Sequence, residues 1–227
     1  MSHLSVTEAL TTRKSVRVFD DKPVPQSLLR EILALAGRSA SGGNVQPWKV
    51  DVLTGDALKQ LAGTVQGFIQ NSGGKTEPEF PTYPNKMADP YHERRGTCGE
   101  VMYEALGIAR DDKMKRIMQT MKNYDFFGAP VGIILSMERE MGQPQCLDIG
   151  IYMQSIMLLA KERGLDTCPQ VSWTVFPQPV REALGLDDNM KIMAGICLGY
   201  KAEDQPVNEL SQARAELSDY VTFRGFE

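Results

Sequence analysis

Arg13-Lys14-Ser15-Val16-Arg17-Val18-Phe19, followed further along by Ser41-Gly42-Gly43-Asn44-Val45-Gln46-Pro47-Trp48, is the ordered pair of segments on which the reading of the whole chain turns. Three cations and a hydroxyl within five residues make a compact anion trap, because forked guanidiniums and shorter donors give a phosphate its charge-assisted bonds. The second segment brings two side-chain amides and two glycines, groups that approach and hydrogen-bond the edge of a flat heteroaromatic ring. Each segment alone is ordinary, the first as a solvated basic run and the second as a common turn composition. Together and in this order, a phosphate grip and a ring-edge reader point to a nucleotide-like cofactor.

The rest of the composition keeps that anion site local. The chain has 227 residues, 42% hydrophobic and 24% charged, which suits one globular domain with a substantial core. Its net charge is -4, with 29 acidic residues opposing 25 basic ones, so a broad phosphate-backbone surface for nucleic acid is not expected. No segment has the layout of a secretory signal, and the most apolar helix candidate, Leu147 to Ala160, carries Asp148, Gln154 and Ser155, so no membrane span is expected. Cys98, Cys146, Cys168 and Cys197 form no C-x-x-C pair, and with His3 and His92 they give no metal-ligand spacing. Reduced, mostly buried thiols in a cytoplasmic protein are the expectation, with no metal. No Ser-His-Asp arrangement, P-loop or G-x-G-x-x-G after a strand is present either, which leaves hydrolysis and phosphoryl transfer without machinery.

The pattern along the chain predicts the elements that carry these segments. Ser5-Val6-Thr7-Glu8 reads as a capping box that opens a short helix and delivers the chain into Arg13. Pro25 starts a second helix whose apolar face is Leu28, Ile32 and Leu35, with Leu29 and Ala36 on its flanks and Gly37 as its stop. Trp48 to Leu53 alternates as a strand with Val50 and Val52 on one side, and Asp56 to Gln70 repeats apolar residues at helical spacing. Val131 to Leu135 and Ile192 to Leu198 are continuous apolar runs, as strands covered on both faces require. Between them a helix from Cys146 to Arg163 is apolar around most of its circumference, so it is buried in the core or against another subunit. Residues 71 to 100 are rich in proline, glycine and aromatics among charges, and helices are expected near Cys98 to Gly107 and Asp111 to Met121. A stretch of that length inside a compact chain suits a lid or a binding loop.

The two opening segments, the apolar strand at 130 to 135 and Cys168-Pro169-Gln170-Val171-Ser172 resemble the signature of the flavin-dependent nitroreductase superfamily, with Ala40 where that family has a proline. The resemblance covers nearly the whole chain, least clearly at 71 to 122. It implies an α+β nitroreductase fold, a single domain around a central, mostly antiparallel sheet flanked by helices, in an intertwined homodimer with flavin sites at the interface. It implies FMN as cofactor, NADH or NADPH as donor, and a nitroaromatic or quinone that accepts two electrons in a ping-pong cycle. Reductive dehalogenation, enone reduction and a non-catalytic flavin store are the other readings on this scaffold.

The same resemblance assigns roles. Arg13, Ser15 and Arg17 would hold the phosphate and ribityl chain, and Lys14 would lie near the pyrimidine edge, where a cation stabilises the negative charge that reduction places on the ring. Ser41, Asn44 and Gln46 would line the flavin from the neighbouring subunit, and Gly43 would leave room for a stacked planar substrate. Pro169, Gln170, Val171 and Ser172 would form a loop past the dimethylbenzene side and N5, with a backbone amide on N5. Asn123 would reach toward flavin or substrate, and Arg224 would complete the phosphate site. Tyr83 and Tyr91, in the proline-bearing excursion, are candidate substrate contacts. No catalytic side chain is needed where the cofactor carries the chemistry.

Overall fold

The structure is a computed structural model and describes residues 4–226, so His3 lies outside the described residues. Ser5 opens α1 (Val6–Thr12) with the expected capping box, its hydroxyl accepting from the Glu8 amide and the Glu8 carboxylate accepting from the Ser5 amide. α2 (Gln26–Ala36) follows Pro25 and ends at Gly37. Its buried face is Leu29, Ile32 and Ala36, whereas Leu35 is 44% exposed, so the predicted stripe is rotated. With apolar residues at 28, 29, 32, 33, 35 and 36, the helical period fits either face, and packing against the sheet chooses one.

β1 (Lys49–Thr54) leads into α3 (Gly55–Ser72), which stops at left-handed Gly73. On β1 the deeply buried residue is Leu53, while Val52 is 38% exposed, because this is an edge strand covered on little of its length. α4 (Tyr91–Ala105) and α5 (Lys113–Met121) follow. α4 begins seven residues before the predicted Cys98, which moves Tyr91 from a loop to a helix N-terminus.

β2 (Val131–Glu138), α6 (Gln143–Glu162), β3 (Asp166–Gln170), α7 (Pro177–Leu184), β4 (Met190–Gly199) and the single turn α8 (Pro206–Glu209) complete the order. The four strands form one antiparallel sheet in the order β1-β2-β4-β3. The two continuous apolar runs are the two central strands, buried on both faces as predicted. One face packs on α2 and α6 through Val131, Ile133, Leu135, Ile156 and Ile196. The other packs on α3, α7 and the aromatic turn at Lys122–Gly128 through Leu61, Val65, Phe126, Trp173 and Val180.

Two strand glycines set the spacing on that second face. A Cβ at Gly195 would lie 2.2 Å from Trp173, and one at Gly132 would lie 2.6 Å from Phe126. The missing side chains let Phe126 stack on Trp173 at 4.4 Å against the sheet. That stack fixes the floor on which β3 and Asn123 meet.

α6 is buried along Asp148, Ile149, Tyr152, Ile156 and Ala160, but Leu147 is 71% and Ile151 45% exposed on its other side. No helix among the described residues is long and apolar enough to cross a membrane.

Candidate functional site

The basic segment leaves α1 at Arg13 and runs along the outer edge of β3, where the Val16 amide donates to the Thr167 carbonyl at 3.1 Å. Val16 and Phe19 turn into the core, which leaves Arg13, Ser15 and Arg17 only partly buried. The clamp that holds the segment is Asn208, a residue the sequence reading did not single out. Its Oδ1 accepts from the amides of Arg17 and Val18 at 2.9 and 3.2 Å, and its Nδ2 donates to the carbonyls of Val18 and Ala202. Arg17 Nη1 donates to the Ser15 carbonyl at 3.1 Å, and Lys14 Nζ is held by Glu209. The Nε of Arg13 is buried without a hydrogen-bond partner.

β3 carries Cys168, Pro169 and Gln170, and Val171–Thr174 is the turn that follows, so the expected loop at 168 to 172 is half strand. Proline cannot donate to a ladder, but β3 lies at the sheet edge, where Pro169 is tolerated. Arg17, Cys168 and Pro169 line one side of a cavity of about 170 Å³, and Asn123, Gln119, Thr120, Phe127 and Met102 line the other. Three predicted residues, Arg17, Pro169 and Asn123, are thereby brought together.

The floor of this cavity is tightly wired. Gln170 is 3% exposed and uses both ends of its amide inside the protein. Its Nε2 donates to the Asn123 carbonyl and Oδ1, and its Oε1 accepts from Trp173 Nε1 at 2.9 Å and from the Cys197 thiol at 3.0 Å. Any contact of Gln170 with a ligand therefore falls to its backbone. Tyr124 donates to the Ser172 carbonyl, and burial pushes its hydroxyl up to about 12, so it stays a donor. Phe126 and Phe127 sit at φ 46° and 53°, a left-handed region that costs non-glycine residues energy and is held here by aromatic packing. Ser172 Oγ is a second buried atom without a partner. Gln119, 5% exposed and on the cavity wall, was missed because one amide on a helix carries no local signal.

The amide loop is built differently. Gly43, Asn44 and Gln46 all have positive φ, and Gly42 to Gln46 are exposed. Ser41 Oγ accepts from the Gln46 amide, Gln46 Nε2 donates to the Asn44 carbonyl, and Asp148 on α6 accepts from the Gly42 amide at 3.1 Å. None of Ser41 to Gln46 lines the cavity.

Arg224 is exposed in the C-terminal segment, near Phe223 and Phe226, which are 66% and 80% exposed. Tyr83 is 48% exposed beneath the Arg95 guanidinium at 4.1 Å, and Tyr91 is 64% exposed. The excursion before them is not a free loop. Glu79, its side chain 3% exposed, pairs with Arg139 and Arg181 at 2.8 and 2.6 Å and accepts from the Ile192 amide.

The profile of the Nitroreductase family matches residues 10–200. This chain belongs to that family. The 4-nitrobenzoate reductase of Pseudomonas putida is 35% identical over 218 residues, covering 96% of this chain and 95% of that protein. The crystal structure of the FMN and NADPH-dependent nitroreductase NfnB from Sphigopyxis sp. strain HMH superposes with a TM-score of 0.96 at 43% identity, covering 98% of this chain and all of that one. The FMN-dependent nitroreductase NfnB of Mycobacterium smegmatis, solved with NADPH, superposes at 0.91 with 31% identity, covering 96% and 97%. The predicted α+β nitroreductase fold is thus the fold of the chain.

Proposed function

We propose that this Nitroreductase-family member is an FMN-dependent enzyme that uses NADPH or NADH to reduce nitroaromatic compounds. The observation that carries the reading is that, of the six buried side-chain polar atoms without a partner among the described residues, Arg13 Nε and Ser172 Oγ fall near opposite ends of a β3 edge that also presents Arg17. Buried polar groups cost free energy unless something bonds them, and a phosphate at one end with a polar ring at the other meets both needs. The residues fit FMN on that ground. Bound FMN would supply a two-electron carrier, alternately reduced by the nicotinamide and oxidised by the nitro group.

The chain's own residues bind and orient. Arg13, Ser15 and Arg17 take the phosphate and ribityl chain, with Arg224 in support, and Lys14 stands toward the pyrimidine edge. Pro169, Gln170, Val171 and Ser172 offer backbone along the ring, and Asn123 fixes one end of that backbone through Gln170. The cavity of about 170 Å³ is smaller than the roughly 300 to 1,000 Å³ of a complete ligand site, which supports a second copy of the chain completing it. Ser41, Asn44 and Gln46 of that copy would then line the ring, and Gly43 would leave space for the aromatic substrate. Exposed Leu147 and Ile151 on α6 suit the homodimer contact. Tyr83 and Tyr91 cover the substrate side as part of a lid within the single domain, and the cytoplasm supplies the reduced nicotinamide. The nitroaromatic reading draws on relatives named nitroreductases at 35% and 43% identity, whereas the iodotyrosine deiodinase of Nematostella vectensis is 22% identical, so the dehalogenase, enone reductase and flavin-store readings are not favoured.

Purified protein should be yellow and release FMN on heating. NADPH should bleach it without oxygen, and 4-nitrobenzoate should restore the colour. Recovery of FAD, or of no flavin after reconstitution with FMN, would overturn the proposal, and a flavin that NADPH and NADH both leave oxidised would return the protein to a flavin store.

A further inference from the structure

Cys168 and Cys197 are directly opposite one another in the β3–β4 register, and directly opposed residues project to the same face of a sheet. Opposed residues of antiparallel strands have Cα atoms about 4.5 to 5.5 Å apart, inside the roughly 4.4 to 6.8 Å span of a disulfide. Both thiols are buried, at 3% and 0% exposure, yet Cys168 lines the cavity beside Arg17. They are chemically unequal. The adjacent Cys197 side chain, aided by the Arg17 and Arg13 guanidiniums, pulls Cys168 below the usual thiol range, whereas burial pushes Cys197 up. Of the two opposed thiols Cys168 is thus the more readily ionised and the one that meets the cavity, the order of an attacking and a resolving cysteine.

We propose that Cys168 and Cys197 are a cross-strand dithiol that bound FMN covers and that hydrogen peroxide closes to a disulfide in the cofactor-free protein, blocking reloading. The inference rests on the functional reading above, because it takes FMN to be the molecule that covers the cavity. Peroxide is little larger than water and enters a cavity of this volume. The Cys168 thiolate attacks one peroxide oxygen, the O–O bond breaks, and with one proton the departing oxygen leaves as water, giving a sulfenic acid at Cys168. The Cys197 sulfur then attacks that sulfur, the S–O bond breaks, and a second water leaves with the Cys197 proton. The two sulfurs have lost two electrons, and peroxide has gained them. The disulfide ties Cys168 to β4, draws its sulfur away from the cavity wall beside Arg17, and holds the β3 edge on which Pro169 and Gln170 stand.

The test compares apoprotein and FMN-loaded protein, both with exposed Cys98 and half-buried Cys146 replaced by serine, during exposure to hydrogen peroxide. Peptide mapping reads the 168–197 link, and quenching of flavin fluorescence reads FMN binding. The apoprotein should form the link, lose FMN affinity by about tenfold or more and regain it with dithiothreitol, while loaded protein reacts about tenfold more slowly. In Cys197→Ser apoprotein, dimedone should trap a sulfenic acid at Cys168 with no link formed. Equal rates in the two forms, or no link in an apoprotein that binds FMN normally, would overturn the proposal. Failure of untreated protein to bind FMN would instead overturn the functional reading and the covering role with it. Mapping the unsubstituted chain decides the same question if the double serine variant folds poorly.

Discussion

The basic segment and the amide loop, the two halves of the proposed site, are held in opposite ways. Arg13 to Arg17 runs along β3, its backbone bonded to Thr167 and clamped by Asn208, a residue 1% exposed. Gly42 to Gln46 lies exposed, wound through left-handed positions and tied to the body by the bond from the Gly42 amide to Asp148. One half is finished within the chain, and the other is turned outward. The proposed shared site would account for the difference, since a loop that serves a second copy has to protrude from its own.

The largest expected effect tests that sharing. Leu147→Asp with Ile151→Asp removes two exposed apolar side chains from α6. A buried leucine or isoleucine is worth about 1.5 to 3 kcal/mol, and a two-fold contact counts each change twice, so self-association should weaken by about a hundredfold or more. Sedimentation reads the mass, and FMN should be lost in step with the dimer. A monomeric variant with undiminished FMN affinity would show that both halves work from one chain.

Arg13→Ala strikes the other half. A charge-assisted phosphate contact is worth about 1.5 to 3 kcal/mol, so FMN affinity should fall roughly ten- to hundredfold while saturating FMN restores much of the turnover. Titration by flavin fluorescence checks it. A variant that stays loaded at dilute flavin would remove Arg13 from the phosphate site.

The contrast also marks what the sequence could disclose. The capping box, the two apolar strands and the basic cluster are local patterns whose meaning lies within a few residues, and the structure bears out the fold they predicted. Asn208 acts on a segment 190 residues away, and Glu79 is clamped by Arg139 and Arg181 from beyond the sheet. No period or spacing reveals such partners, because the chain's three-dimensional path creates them. The resemblance singles out Gln170, but that all its side-chain bonds turn inward to Asn123, Trp173 and Cys197 could not be read from it. Where α2 is apolar on overlapping faces, the sequence permitted two stripes and the core took Leu29, Ile32 and Ala36.

Asp148→Asn sharpens the comparison with a smaller effect. The Gly42 amide would keep a neutral acceptor in place of a charged one, a change of about 0.5 to 1.5 kcal/mol, so FMN should bind roughly two- to tenfold more weakly. Because the change acts on the ring side, riboflavin, which lacks the phosphate, should lose the same factor. Isothermal titration with both flavins measures the ratio. A loss confined to FMN would tie Asp148 to the phosphate half instead.

The smallest effect on the cofactor belongs to the excursion. Deleting residues 76 to 92 as a test of a lid would also remove Glu79, and leaving the mostly buried Arg181 without its partner costs about 3 kcal/mol, enough to confound any change in activity. Point substitutions at the exposed end avoid that. Tyr83→Ala and Tyr91→Ala remove aromatic surface that stands clear of the core, so the fold and FMN affinity should be unchanged. If these rings cover a substrate stacked on the flavin, losing one changes contacts worth about 1 to 3 kcal/mol that differ between ring substituents. The kcat/KM ratios among nitrobenzoates, nitrofurans and quinones should therefore shift by about tenfold in at least one pair. Tyr83 is already packed under Arg95, which points to the larger shift at Tyr91, the freer ring at the head of α4. Ratios that stay constant in both variants would leave the excursion as a strap that Glu79 fastens to the sheet, with no part in choosing the acceptor.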